Sequence, residues 1–210
     1  MKTSVIIPVK TFQKSKTRLC LSEEKTKKLC RLFLEEVIKT VCQTNIIDKI
    51  IVVTNEENIS DILEKYDCKK IQDKYETSVN DAVRLAEEYL IDNKFTHSIV
   101  LPLDVPFFYS EDLEKLLKFS SDKSAIIVPS RHFDGTNALV RTPINSMTPR
   151  YDEGSYSFQI ESAKNADVVI VIGLIYRLML DIDNTEDLEF VLKQNIKPKF
   201  CDKIRKIIEN

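Results

Sequence analysis

The sequence predicts an α/β protein: a mostly parallel central sheet with helices on both faces. Two observations carry this expectation. Short runs rich in Val and Ile alternate along the chain with longer stretches whose apolar residues recur every three or four positions. Those intervening stretches are long enough to serve as the crossover helices that parallel strands require. At 210 residues, with no repeat, low-complexity tract or linker, the chain reads as one domain, 1–210.

The elements follow in order. Residues 4–9 form the first strand, with Val5, Ile7 and Val9 on one face and Pro8 marking where ladder pairing stops. Ser22 caps a helix whose first turn carries Glu23 and Glu24, the charge sign that suits the positive end of a helix dipole. Leu29, Phe33, Val37 and Val41 then recur along one face of that helix. Residues 49–54 are a second buried strand, followed by a short helix through Ile59, Ile62 and Leu63 and a brief strand at 70–72. A helix over 77–93 turns Val79, Ala82, Val83, Ala86 and Leu90 inward. Residues 98–103 are a fourth strand, and Ser110 caps a helix through Leu113, Leu116 and Leu117. Strands are expected at 125–129, 138–142, 167–171 and 178–181, with helices from Ser155, from Thr185 and from about Lys199. The Pro-containing segment 143–153 reads as an active-site loop.

Composition excludes several function classes. Lys and Arg (31) nearly balance Asp and Glu (33), a net charge of −2 that does not suit a nucleic-acid-binding surface. Cys20, Cys30, Cys42, Cys68 and Cys201 are odd in number and contain no Cys-x-x-Cys pair, the pattern of reduced thiols in a cytoplasmic protein. No apolar run approaches roughly 18 residues and the start lacks signal-peptide anatomy, so no membrane association is expected. A homodimer is left open.

Four motifs point to chemistry. Lys10, Lys14, Lys16 and Arg18 crowd a loop just beyond the first strand's carboxyl end, the edge where open α/β sheets bind ligands. Cations so close repel one another unless a polyanion lies between them. Asp104, in the run Leu-Pro-Leu-Asp-Val-Pro (101–106), is projected from the end of another strand toward the same crevice. Asp181 and Asp183 flank Ile182; in extended chain their carboxylates share a face, with α-carbons roughly 6.5–7 Å apart. Like charges at about 4 Å cost about 4 kcal/mol at an effective dielectric of about 20. A divalent cation reverses that cost, and hard oxygen ligands suit Mg²⁺. Asn184 to Asp187 read instead as a helix cap and first turn. With three glycines in the chain, each is expected where the backbone needs positive φ or a close approach. Gly135 precedes Thr136 and Asn137, and Gly154 precedes Ser155, whose helix start offers N–H groups to an anion. His97 and His132 have no second His or Cys at ligand spacing and read as a strand and a loop residue.

These residues together resemble the 2-phospho-L-lactate guanylyltransferase family, which acts in making coenzyme F-420. Residues 7–10 (Ile-Pro-Val-Lys) with Lys16, Thr17, Arg18 and Leu19 are similar to its opening Pro-Val-Lys…Ala-Lys-Ser-Arg-Leu. Residues 101–106 resemble its Ala-Asp-Leu/Val-Pro, residues 131–139 its Arg…Gly-Gly-Thr-Asn-Ala-Leu, and residues 180–188 its Leu-Asp-Ile-Asp-Thr-Pro-Glu-Asp-Leu. Residues 77–82 resemble its Gly-Leu-Asn-x-Ala, which makes Asn80 a candidate nucleotide contact. The chain departs from the family at Asp134, Asp152 and Ser78, where glycine is common in the family.

The resemblance implies the nucleotide-diphospho-sugar transferase (GT-A-like) fold and transfer of GMP from GTP to 2-phospho-L-lactate or phosphoenolpyruvate, with pyrophosphate released. Lys10, Lys16 and Arg18 would hold the triphosphate, and Lys16 and Arg18 would stabilise the leaving pyrophosphate. Asp104, Asp181 and Asp183 would hold Mg²⁺, with Asp104 counted in the catalytic set. Thr136, Gly154 and Ser155 would bind the acceptor acid, with Arg131 secondary. Three other readings stand beside this one. A sugar-1-phosphate or molybdopterin nucleotidyltransferase would open on a glycine-rich loop, which residues 10–19 lack. A glycosyltransferase would carry its Asp-x-Asp motif mid-chain. A non-catalytic nucleotide sensor would bind without releasing pyrophosphate.

Overall fold

The computed structural model describes residues 2–151 and 154–209, the side chain of Lys14 excepted; Asp152 and Glu153 of the expected 143–153 loop lie outside them. Seven strands form one sheet: β1 (Thr3–Val9), β2 (Lys49–Thr54), β3 (Lys69–Gln72), β4 (His97–Val100), β5 (Ser124–Pro129), β6 (Thr136–Thr142) and β7 (Val169–Ile172). Their order is β3-β2-β1-β4-β6-β5-β7. β6 pairs antiparallel with both neighbours, whereas the other pairings are parallel, so six strands run one way and β6 runs back.

The helices are α1 (Glu23–Val41), α2 (Ser60–Lys65), α3 (Val79–Asp92), α4 (Ser110–Leu117), α5 (Ser155–Asn165), α6 (Thr185–Gln194) and α7 (Pro198–Glu209). The alternation of β1 sets the two-faced core. Val5, Ile7 and Val9 enter the apolar cluster that includes Phe33 of α1, Leu113 of α4 and Phe200 of α7. Ile6 enters the other, with Ala82, Val83, Ala86 and Leu90 of α3. Ser22 caps α1 by accepting from the Lys25 N–H, as its position predicts. Ser78, standing where glycine is common in the family, caps α3 by accepting from the Asp81 N–H at 3.0 Å.

Several expectations are corrected. β4 stops at Val100 rather than 103: the Leu101 N–H still reaches Ile6 O at 2.9 Å, but Pro102 has no donor to continue the ladder. Residues 178–181 are not a strand. Tyr176–Met179 is a 3-10 turn, because β4 is already paired on both edges and leaves no place beside it. The Ile182 N–H makes a single bond to Asp104 O at 3.0 Å instead. Tyr109, not Ser110, is the cap residue of α4, and its N–H donates to the Asp112 carboxylate. Gly154 has φ +74°, the left-handed region expected for a glycine, but Gly135 has no positive φ.

Arg141 of β6 is fully buried. It is paired with Glu87 of α3, donates to Ser98 Oγ at 3.2 Å and to Met147 O at 3.4 Å, and so ties the sheet to α3 and to the segment after β6. Breaking a buried pair strands a charge, whereas removing both charges does not. Arg141→Met is expected to cost about 3–5 kcal/mol of unfolding free energy. Arg141→Met with Glu87→Leu should recover most of that loss, as measured by urea denaturation.

Candidate active site

At the carboxyl ends of β1 and β4, and at the start of the reversed β6, lies a cleft of about 570 Å³. The sheet order turns here, with β2 on one side of β1 and β4 on the other, which is where doubly wound sheets place their ligands. The cleft is lined by Lys10, Lys16 and Arg18 from the loop after β1 and by Asp104, Asp181 and Asp183. Thr136 and Asn137 of β6 contribute to the same wall.

That loop is built from two 3-10 turns, Phe12–Lys14 and Thr17–Leu19. It is tied down where it crosses the molecule. The Phe12 N–H donates to Glu56 Oε2 at 2.9 Å, and Glu76 Oε1 accepts from both the N–H and the hydroxyl of Thr11. The Thr185 hydroxyl donates to Leu19 O at 3.1 Å. Lys16, between the turns, is held at φ 54°.

From there the Lys16 ammonium reaches Asp104 Oδ2 and Asp183 Oδ1, each at 2.5 Å, with its side chain 12% exposed. Burial acts to lower the Lys16 pKa, but the two carboxylates outweigh it and the net displacement is upward. Asp181 shows the complementary effect. Burial and the neighbouring charges of Asp104 and Asp183 push its carboxyl up to about 6, against a hydrogen bond from Asn137 Nδ2 at 3.1 Å. Ile182 between them is fully buried, so Asp181 and Asp183 do share the outward face expected of extended chain. Asp187 steadies this segment by accepting the Asp183 N–H at 3.1 Å, while its own N–H goes to the capping Asn184 Oδ1 at 3.0 Å.

The structure thus brings together Lys10, Lys16, Arg18, Asp104, Thr136, Asp181 and Asp183 in one cleft. Asn80, Gly154, Ser155 and Arg131 are not among the residues that line it. Asn80 Oδ1 accepts the Tyr151 N–H at 2.7 Å and so holds a residue of the cleft wall. Ser155, buried behind β6, donates to Thr136 Oγ1 at 3.1 Å. Arg131 donates to Asp187 Oδ1 at 2.9 Å and lies over the Phe190 ring. Sequence reasoning left out Asn137 and Tyr151; Asn137 was within reach, because it adjoins Thr136 on a strand that opens at the cleft. Among the described residues no group of three or more His, Cys, Asp or Glu side chains stands ready as a metal cage; two of the three aspartates close on Lys16 instead.

The fold is one shared with solved nucleotidyltransferases. A nucleotidyl transferase of Methanothermobacter thermautotrophicus superposes with a TM-score of 0.69 at 12% identity, over 96% of this chain and 99% of that one. Residues 3–207 match the family described as Guanylyl transferase CofC like, and the chain belongs to that family of guanylyltransferases. It is 30% identical to a phosphoenolpyruvate guanylyltransferase of Conexibacter woesei, over 90% of this chain and 86% of the relative. It is 31% identical to a 2-phospho-L-lactate guanylyltransferase of Methanocaldococcus jannaschii, over 90% and 81%. A 3-phospho-D-glycerate guanylyltransferase of Colwellia psychrerythraea is 30% identical, over 91% of each.

The repulsion at Asp181 has a measurable consequence for the ligand-free protein. Its folded pKa lies above the unfolded value, so its contribution to stability is present at acid pH and is lost as pH rises through about 6. Asp181→Asn keeps an acceptor for Asn137 and removes the charge. The variant is expected to exceed the wild type by on the order of 2 kcal/mol at about pH 7, with the gap closing toward about pH 4, as read by denaturation at each pH.

Proposed function

We propose that this protein transfers GMP from GTP to the phosphate of a small phosphorylated three-carbon acid, 2-phospho-L-lactate or phosphoenolpyruvate, as a step toward coenzyme F-420. The observation that carries the reading is the cleft itself. It gathers three cations from the amino-terminal loop with three aspartates from two later segments, in a chain that shares about nine-tenths of its length with relatives named as guanylyltransferases.

The reaction joins two anions. A phosphomonoester oxygen of the acid attacks the α-phosphorus of GTP, and the bond to the β-phosphate bridging oxygen breaks. The nucleophile is already largely ionised near neutral pH, its second pKa being about 6, so no general base is required. The barrier lies in bringing anions together and in the charge that accumulates on the departing pyrophosphate. Lys16 and Arg18 stabilise that charge, and Lys10 holds the triphosphate. Thr136 faces the cleft as a hydroxyl contact for the acid and is itself positioned by Ser155.

The acidic side of the cleft fits a hard divalent cation. Its donors are carboxylate oxygens, and the Lys16 ammonium pairs with only two of the three carboxylates, leaving Asp181 without a cation. Asp104, Asp181 and Asp183 would hold Mg²⁺ once Lys16 turns from them to the phosphates. When bound, the ion would neutralise phosphate charge as the α-phosphorus is attacked.

The near-balanced charge, the unpaired thiols and the lack, among the described residues, of any helix long and apolar enough to cross a membrane support action on a small metabolite in the cytoplasm, away from nucleic acid. The three relatives compared above, each named for a different acid, differ by no more than one percentage point in identity to this chain, so the acceptor is chosen by measurement.

Purified protein incubated with GTP, Mg²⁺ and each of 2-phospho-L-lactate, phosphoenolpyruvate and 3-phosphoglycerate should release pyrophosphate with at least one acid. GTP binding without release would instead make it a sensor. EDTA should abolish turnover, and excess Mg²⁺ should restore it. Lys16→Met should lower kcat by about 10²–10³, the loss typical of removing one group that stabilises transition-state charge, with the fold retained by circular dichroism.

A further inference from the structure

Beside the cleft is a niche of about 20 Å³ between the end of β1 and the start of α3. Pro8, Lys10 and Val79 line both spaces, so the two adjoin. At the niche stand Asp73 and Glu76. Glu76 is engaged with Thr11 of the phosphate-side loop. Asp73 is different. It follows the last residue of β3, its N–H is fixed to Thr54 O at the end of β2, and it is 7% exposed. Its Oδ1 accepts the Glu76 N–H at 2.9 Å. Its Oδ2 has no hydrogen-bond partner among the described residues.

A carboxylate oxygen with no protein donor, on a largely buried side chain beside a binding cleft, is open to a donor from a bound ligand. The phosphates cannot supply that donor, since they carry the same sign of charge and are drawn to Lys16 and Arg18. The uncharged end of the nucleotide can. The niche has room for only one or two water-sized groups, which suits the edge of a ring and not the ring itself. Pro8 and Val79 offer apolar surface to the faces of a base lying in the adjoining cleft. Among purine edges, that of guanine presents N1–H and the exocyclic 2-amino group side by side, two donors for one carboxylate. Adenine presents an acceptor at N1 and no group at C2.

We propose that Asp73 reads the guanine edge of the nucleotide: its free oxygen accepts from the 2-amino group and N1–H, and so selects GTP over ATP and ITP. This rests on the GTP reading above and names the side chain that would enforce it. The β1–β3 side of the cleft then takes the base, and the β6 side is left for the acceptor acid.

Asp73→Asn tests the assignment with little disturbance, because the amide oxygen can keep the Glu76 N–H. The amide nitrogen would then replace the free oxygen, a donor facing guanine's amine but a match for the 2-carbonyl of xanthine. Pyrophosphate release is measured with GTP, ITP and XTP in the presence of Mg²⁺ and the three acids. In the wild type, GTP should exceed ITP by about tenfold in kcat/KM, the worth of one hydrogen bond to a charged acceptor. In Asp73→Asn, kcat/KM for GTP should fall about 100-fold and XTP should become the better substrate.

Unchanged use of GTP by the variant overturns the proposal. So does an equal loss with all three nucleotides, which would place the carboxylate on the ribose hydroxyls or in the fold alone. A wild type that releases no pyrophosphate from GTP but does so from another nucleotide overturns the GTP reading and this one together, whereas an active wild type with an indifferent variant overturns only the role of Asp73.

Discussion

The contact of Lys16 with Asp104 and Asp183 is the interaction on which the cleft depends. It joins residues 88 and 167 positions apart in sequence, and so draws the amino-terminal loop, the turn after β4 and the segment before α6 to one point. Neither partner tolerates this arrangement alone. The ammonium is desolvated and holds its proton because two carboxylates face it, and the carboxylates can stand close because it lies between them. Asp181, the third member, has no such cation, and burial together with the charges of Asp104 and Asp183 raises its proton affinity.

The backbone makes this convergence possible through one reversal. Six strands run the same way, so their carboxyl ends lie at one edge of the sheet; β6 runs back, so its first residues arrive at that edge as well. Thr136 and Asn137 therefore meet Asp104 and Asp181 although they begin a strand, while Arg141, further along β6, is carried into the core to pair with Glu87. One strand thus supplies both a cleft wall and an anchor beneath it.

Much of this was legible in the chain because the signals are local. The β2 run of Ile and Val, bounded by polar residues, is found at the expected residues 49–54, and Ser22 caps its helix where expected. The acid–Ile–acid pattern at 181–183 gave the shared outward face without any knowledge of what lies opposite. The failures were non-local. Residues 178–181 have the composition of a strand, but whether they can be one depends on whether a sheet edge is free, and β4 had none. Asn80 and Ser155 carry the polar groups of a binding residue, but sequence cannot tell that their partners are Tyr151 and Thr136. The closure of Lys16 on two aspartates was equally hidden: both partners were assigned to the site, but to a metal and to phosphates, not to each other.

The positions of the two histidines bear on the chemistry. His97 opens β4 and therefore lies at the amino end of the strand, away from the edge where the cleft forms; His132 sits in the exposed turn after β5, with Asp187 3.9 Å from its Nε2. Neither lines the cleft. Such a site offers no imidazole to strip a proton from an alcohol. A phosphate nucleophile needs no such help, being already an anion; what it needs is relief from the repulsion of a second polyanion. Lysines and an arginine on one loop, set against three aspartates across the cleft, answer that need. The composition of the cleft therefore favours anion-to-anion transfer over proton-driven chemistry, and it does so through the placement of charge alone.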